Sequence, residues 1–343
     1  MINNRTKIAV AGMDHGHVFW ILKNMIRPDV EFVGFYDADA ELSGQYTQEF
    51  NIDTSIVYND LNTMLDEVQP EGVVAFSSIF HHLEAVEACA PRGIHVMVEK
   101  PLAVSMEHAQ QMESLSKQYN IHLLTNYETT WYASNYEVYR RVHDNQIGEI
   151  RKIVVHDGHR GPQEIGCGPE FLSWLTDPIL NGGGAIVDFG CYGVNLATWL
   201  THNQRPISVT GITHNNKPDI YPKVDDESLI VLTYPKMQAI IQGSWNWAIS
   251  RKDMEVYGQT GYVHALDSTT IRYRTAQTDP EETVTLAPRE APLHDPFSYF
   301  GAVIRGDVIV NDDDLSSLAN NMITVEILDA ARQSAKTGQR IDL

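Results

Sequence analysis

Gly93-Ile94-His95-Val96-Met97-Val98-Glu99-Lys100-Pro101 is the stretch that decides the fold. The apolar run ending at Val98 reads as a strand buried on both faces, the kind found inside a parallel sheet. Glu99 and Lys100 follow it directly and so stand at its carboxyl end. Open α/β sheets gather their ligands there. A surface ion pair at a strand exit, with Pro101 ending the strand, accounts for the same residues. The flanking chain has to decide between the two.

Outward from this point the chain alternates. Strands are predicted over 7–11, 30–36, 72–76, 94–98 and 121–125, and helices over 17–26, 40–50, 61–67, 82–90 and 105–119. Near-continuous apolar strands alternating with helices predict a doubly wound parallel sheet. After residue 125 the pattern changes. A helix over 132–142 and a strand over 149–155 precede the triplet Gly182-Gly183-Gly184, which leads into a helix over 185–201. Strands over 207–213, 228–234, 238–247 and 253–258 then follow without long helices between them, so that sheet should be mainly antiparallel. Helices over 297–304 and 316–336 close the chain. The fold class is α/β, with expected domains 1–125 and 126–343, and 343 residues suit two domains.

Composition narrows the partners. Asp plus Glu total 45 against 25 Lys plus Arg, a formal charge of −20 that disfavours nucleic acid and anionic membranes. The three cysteines, Cys89, Cys167 and Cys191, are scattered as in a chain kept in a reducing cytoplasm. The amino terminus enters a strand without a signal-peptide pattern, so a cytoplasmic location is expected. Fourteen histidines invite a zinc site, but no spacing matches a known ligand pattern, and no metal is expected.

The first strand-to-helix turn is Gly12-Met13-Asp14-His15-Gly16-His17. A dinucleotide site wants Gly-x-Gly-x-x-Gly there, so that the backbone can approach a pyrophosphate held at a helix amino terminus. Only Gly12 fits. Asp14 replaces the second glycine, and a carboxylate repels a pyrophosphate unless it points away or is neutralised, a task open to His15 or His17. A tight turn without a ligand explains the loop equally well. Asp37, which ends the second strand, is placed to accept the ribose hydroxyls of NAD and to repel the extra phosphate of NADP. It would serve equally as a helix cap.

Taken together, Gly93 to Ala103 resembles the signature of the glucose–fructose oxidoreductase / inositol dehydrogenase family (Gfo/Idh/MocA). Ser77-Ser78 and His82-Leu83-Glu84 sit where that family has a Thr-Pro turn and a His-x-Glu. Gly182 to Asn195 is similar to its second motif, and Ala330 to Arg340 to its carboxyl-terminal helix. The resemblance implies a Rossmann domain that binds NAD, with NADP less favoured, through Gly12, Met13, Asp14, His15, Asp37, Ser77, His82, Glu99 and Lys100. It also implies a second α+β domain with a large open sheet that joins subunits into a dimer or tetramer. Most members carry His where this chain has Tyr192; a smaller branch has Tyr followed by Gly and Asn, as here.

Asp188 and Tyr192 are four residues apart and would share a helix face. A dipole-stabilised carboxylate and an ordinary core tyrosine are the plain alternative. With the resemblance, Lys100, Asp188 and Tyr192 form the expected catalytic set for hydride transfer between a nicotinamide and a secondary hydroxyl of a sugar, cyclitol or polyol. Tyr192 would move the proton, its pKa lowered by Lys100, and Asp188 would hold a neighbouring hydroxyl. Tyr127, His156 and Trp174 are expected to join Lys100, Asp188 and Tyr192 in the substrate cleft, with packing as the even alternative. An NAD-assisted glycoside-cleaving or epimerising enzyme and a non-catalytic ligand sensor remain as other uses of the same fold.

Overall fold

The computed structural model describes residues 5–343 and contains two sheets. The first is built from β1 (Thr6–Ala11), β2 (Val30–Tyr36), β3 (Val57–Tyr58), β4 (Gly72–Ala75), β5 (His95–Glu99) and β6 (Leu123–Asn126), all parallel, in the order β3-β2-β1-β4-β5-β6. Helices Ala40–Phe50, Leu61–Val68, His82–Cys89 and Met106–Tyr119 cross between them. Their starts are written locally. The carboxylates of Asp39 and Asp60 and the hydroxyl of Ser105 accept first-turn N–H groups. The chain order reverses between β1 and β4, which opens a crevice above their carboxyl ends.

The expected 17–26 helix is the first difference. The loop instead runs into a single 3-10 turn, Gly16–Val18, and one α-helical turn, Phe19–Leu22. The His15 ring accepts the His17 N–H, and His17, Val18, Phe19 and Trp20 are all weak helix formers. The rings of Phe19 and Trp20 are committed to packing, on Tyr46 and His17 respectively.

The second sheet comprises β7 (Ile150–Gly158), β8 (Ser208–His214), β9 (Glu227–Thr233), β10 (Gln238–Ser244), β11 (Arg251–Gly258), β12 (Tyr262–Ala265), β13 (Thr270–Arg274), β14 (Glu282–Thr285) and β15 (Ile341–Asp342). Its order is β14-β13-β12-β11-β7-β10-β9-β8-β15, and every pairing except β7 with β10 is antiparallel. Helices Gly190–Leu200 and Leu318–Thr337 cover one face. Gly193 permits the first of these to lie close, since a Cβ there would stand 2.4 Å from Ile241 of β10. The helix Pro296–Ile304 returns to the first sheet, where Phe297, Phe300 and Val303 pack with Ile8, Val10 and Phe32. No helix among the described residues is long and apolar enough to cross a membrane.

The expected 185–201 helix is broken into Ala185–Asp188 and Gly190–Leu200. Across the break the Tyr192 N–H donates to the Phe189 carbonyl rather than to that of Asp188. The Asp188 carbonyl is thereby released from the helical ladder and becomes available to a side chain.

Candidate active site

Lys100 takes up that carbonyl. Its ammonium donates to the Asp188 C=O at 2.8 Å and to Asp188 Oδ1 at 2.5 Å. The indole N–H of Trp245 donates to Asp188 Oδ2 at 2.9 Å. All three side chains are buried. Burial opposes both charges, but the pairing outweighs it, holding the lysine above and the aspartate below their ordinary ranges. Lys100 is thus a fixed cation, oriented by an aspartate and a tryptophan that themselves have no freedom.

Tyr192 lies beside it. The Lys100 ammonium is 5.1 Å and the Lys252 ammonium 4.7 Å from its ring centre. The expected lowering of its pKa does not occur. Burial, then the carboxyls of Glu128 and Asp157, push the phenol well above its usual value. Lys100 does not reverse this because its charge is neutralised by Asp188. The resting Tyr192 is therefore a protonated phenol, a donor rather than a base. Asp157, on β7, is buried with one oxygen lacking a hydrogen-bond partner, and burial raises its carboxyl far above the carboxylate range.

Lys100, Asp188 and Tyr192 floor a cavity of about 400 Å³ lined also by His15, His17, Glu128, His159, Phe171 and Lys252. Glu99 supports its amino-terminal side. Asn126 donates to Glu99 Oε1 at 2.6 Å, and His17 Nδ1 stands 3.1 Å from Oε2. Burial alone would raise the Glu99 carboxyl, but His17 and the other neighbouring donors hold it at about 2. Burial pushes the His159 imidazole down to about 4, so it is neutral at physiological pH.

A second cavity, about 210 Å³, lies over the β1–β4 crevice and is lined by Gly12, Asp14, Asp37, Ser77 and His81 among others. Gly12 has φ +83°, and a Cβ there would meet Ser77 backbone at 2.8 Å, so the turn requires glycine. Asp37 accepts the Met13 N–H at 2.6 Å and the Asp39 N–H at 2.8 Å, one on each oxygen. The helix cap is Asp39, not Asp37. A ribose fits this end: the acid is fixed and faces the cavity, and no Lys or Arg lines it to receive a second phosphate. The shortened helix offers less to a pyrophosphate than expected. Asp14 is the telling residue. One of its oxygens is buried with no partner, and burial, then Asp37, push its carboxyl up to about 8. Below that pH it is neutral and can donate. If a dinucleotide lies across it, NAD affinity should fall about tenfold per pH unit above pH 8. Asp14→Asn should flatten that profile. Calorimetric titration at pH 7, 8 and 9 checks this, and a steep profile in the variant would count against it.

Several expected residues have other places. Met13 is core, contributing only its N–H. His82 is buried, with Nδ1 at 3.1 Å from the Leu102 carbonyl, and supports the turn after Lys100 without lining either cavity. Tyr127 packs edge-on behind Tyr192, ring centres 5.4 Å apart. Trp174 braces the loop. Its indole donates to the Asp14 carbonyl at 3.3 Å and its ring lies 5.5 Å from His15, while its neighbour Phe171 lines the cavity. His156 points to the opposite face of the second sheet, bonded to Asp253, because β7 runs on to Gly158 and parity turns Val155 and Asp157 inward.

Lys252 and Trp245 were not anticipated. The signal for Lys252 was present: in Arg251 to Gly258 it shares the inward parity of Met254 and Val256, and a lysine in core register is a candidate for function. Two groups of metal-ligand type occur among the described residues. In His15–His17–Glu99 the His15 Nδ1 accepts the His17 backbone N–H and His17 Nδ1 bonds Glu99 Oε2, and in His156–Asp253–Glu255 the Arg251 guanidinium holds Asp253.

Residues 6–127 match the family model described as "Oxidoreductase family, NAD-binding Rossmann fold", and residues 136–264 match the GFO/IDH/MocA C-terminal domain. A trans-1,2-dihydrobenzene-1,2-diol dehydrogenase of Xenopus tropicalis is 25% identical over 63% of this chain, a match that spans 61% of the relative's length. The scyllo-inositol 2-dehydrogenase (NADP(+)) IolU of Bacillus subtilis is 21% identical over 89% of each chain. An inositol dehydrogenase homolog of Azotobacter vinelandii, solved with NAD+, superposes with a TM-score of 0.83 at 18% identity over the full length of both chains.

Proposed function

The chain belongs to the Gfo/Idh/MocA oxidoreductase family, and from that premise we propose that it is an NAD-dependent dehydrogenase of a sugar, cyclitol or related polyol. The observation that carries this reading is the Lys100–Asp188–Tyr192 group at the floor of a 400 Å³ cavity, adjoining the crevice of Gly12 and Asp37. NAD supplies the hydride acceptor. Gly12, Asp37 and Ser77 would hold its adenosine end; Asp14, which lines the crevice, and His15, which lines the inner cavity, are adjacent in the chain. Lys100 donates to the reacting oxygen of the substrate and stabilises the charge that develops there. Tyr192 carries the proton. As a protonated phenol it gives that proton to the oxygen of a ketone, and in the oxidising direction it must first lose it. Asp188 keeps Lys100 in place and offers an acceptor to an adjacent hydroxyl.

Residues 1–125 form the cofactor unit and 126–343 the substrate and subunit unit in this reading. A homo-oligomer would use the outer face of the second sheet, where Ile212 and Ile240 are open to solvent to differing degrees. Calorimetry with NAD and NADP, on the wild type and on Asp37→Ala, tests the assignment. NAD should bind and NADP should bind more weakly. The substitution should weaken NAD roughly tenfold or more, since two backbone N–H groups also lose their acceptor. Binding of neither cofactor would remove the reading.

A further inference from the structure

The inner cavity shares a wall with a larger one. Beyond Tyr192 a cavity of about 750 Å³ opens where β7 and β12 end and β11 begins, and Glu128, His159 and Lys252 line both. The wall is an ordered charged pair. Lys252 is ion-paired to Glu128, and the Tyr132 hydroxyl donates to Glu128 at 2.5 Å. The pair is not sealed in: 22% of the Lys252 and 35% of the Glu128 side chain are exposed. Two further features mark the outer cavity. Ile249 and Leu266, among the few exposed large aliphatic residues, stand at its edge. Between them lie Ser250, Arg251, Asp267 and Ser268. The hairpin turn that carries Asp267 is rigid, because Ser134 donates to its carbonyl and its carboxylate accepts the N–H groups of Thr269 and Thr270.

We infer that the outer cavity is a second sugar subsite and that the substrate is a neutral glycoside of at least two rings. This rests on the dehydrogenase reading for what fills the inner cavity. That space has to take the nicotinamide and the ring that faces it, and its volume lies near the lower end of the ~300–1,000 Å³ that one ligand normally occupies. A substituent on the reacting ring must therefore pass over the Glu128–Lys252 wall. The wall presents both acceptor and donor to hydroxyls on either side. Aliphatic surface beside hydroxyl-binding groups suits the C–H face and the polar edge of a pyranose. Charge selects a neutral ligand. Each cation here already has its acid: Lys100 with Asp188, Lys252 with Glu128 and Arg251 with Asp253. Glu170 and Asp267 add negative charge. A sugar phosphate or nucleotide sugar would meet no free cation among these residues.

The test is calorimetric titration of the full chain, with and without NAD. The probes are methyl glycosides of glucose, galactose and xylose and the matching disaccharides cellobiose, lactose and xylobiose. For at least one pair the disaccharide should bind tenfold or more tightly than its methyl glycoside. Leu266→Trp, which fills the outer cavity from an already exposed position, should cut that ratio at least tenfold, and Ser250→Trp should do the same from the other side. Equal affinities within every pair, a ratio unmoved by both substitutions, or no sugar binding at all overturns the proposal. Selective disaccharide binding with no NAD binding leaves the outer subsite standing and removes the dehydrogenase reading instead.

Discussion

Lys100→Met should reduce kcat/KM for the alcohol substrate about a thousandfold, the scale on which removal of a preorganised oxyanion donor acts. It should also unsettle the fold. The substitution leaves Asp188 buried without its cation, and breaking a buried pair from one side costs ~3–5 kcal/mol. Activity and stability can be separated by adding Asp188→Asn. The double variant removes the orphaned charge and keeps a side chain able to accept from Trp245, so its unfolding midpoint should return most of the way to wild type. Its activity should not return. Denaturant unfolding and initial rates on the two variants decide the matter. A single variant as stable as wild type, or a double variant that turns over, would contradict the arrangement described for this pair.

Tyr192→Phe should cost ~10²–10⁴ in turnover, the range spanned by loss of a general acid–base group, with NAD binding unchanged. The pH profile carries the sharper information. Burial and the carboxyls of Glu128 and Asp157 hold the phenol above its ordinary value, so the protonated form dominates throughout the neutral range. Ketone reduction uses that form and should be level with pH there. Alcohol oxidation needs the phenol to shed its proton and should rise with pH, without a plateau below pH 9. The variant should lose the rise. An oxidation plateau near pH 7 in the wild type would mean that another group moves the proton.

Much of this architecture was legible because it is local. The buried runs of β1, β4 and β5 and the Glu99–Lys100 pair at the end of β5 are contiguous in the chain. The caps Asp39, Asp60 and Ser105 are equally local, but a cap is read from the sequence only at Asp37. What escaped has a non-local cause. The break at Phe189 releases a carbonyl whose partner, Lys100, is 88 residues away. The face on which His156 emerges depends on how far β7 continues, and one residue of parity decides it. The phenol of Tyr192 is governed by burial first and then by Glu128 and Asp157, which only the folded chain brings near. The short helix after Gly12 follows from weak helix formers, the His15 ring that accepts the His17 N–H, and the Phe19 ring that packs on Tyr46.

The return of Pro296–Ile304 to the first sheet has a consequence for how the molecule comes into being. Phe297, Phe300 and Val303 complete a core begun by Ile8, Val10 and Phe32 almost three hundred residues earlier. During synthesis the six parallel strands leave the ribosome long before that face can be covered. The amino-terminal half must therefore wait, with apolar surface open, until nearly the whole polypeptide has been made. A nascent chain stalled before residue 296 should accordingly be a better client for chaperones than the finished protein.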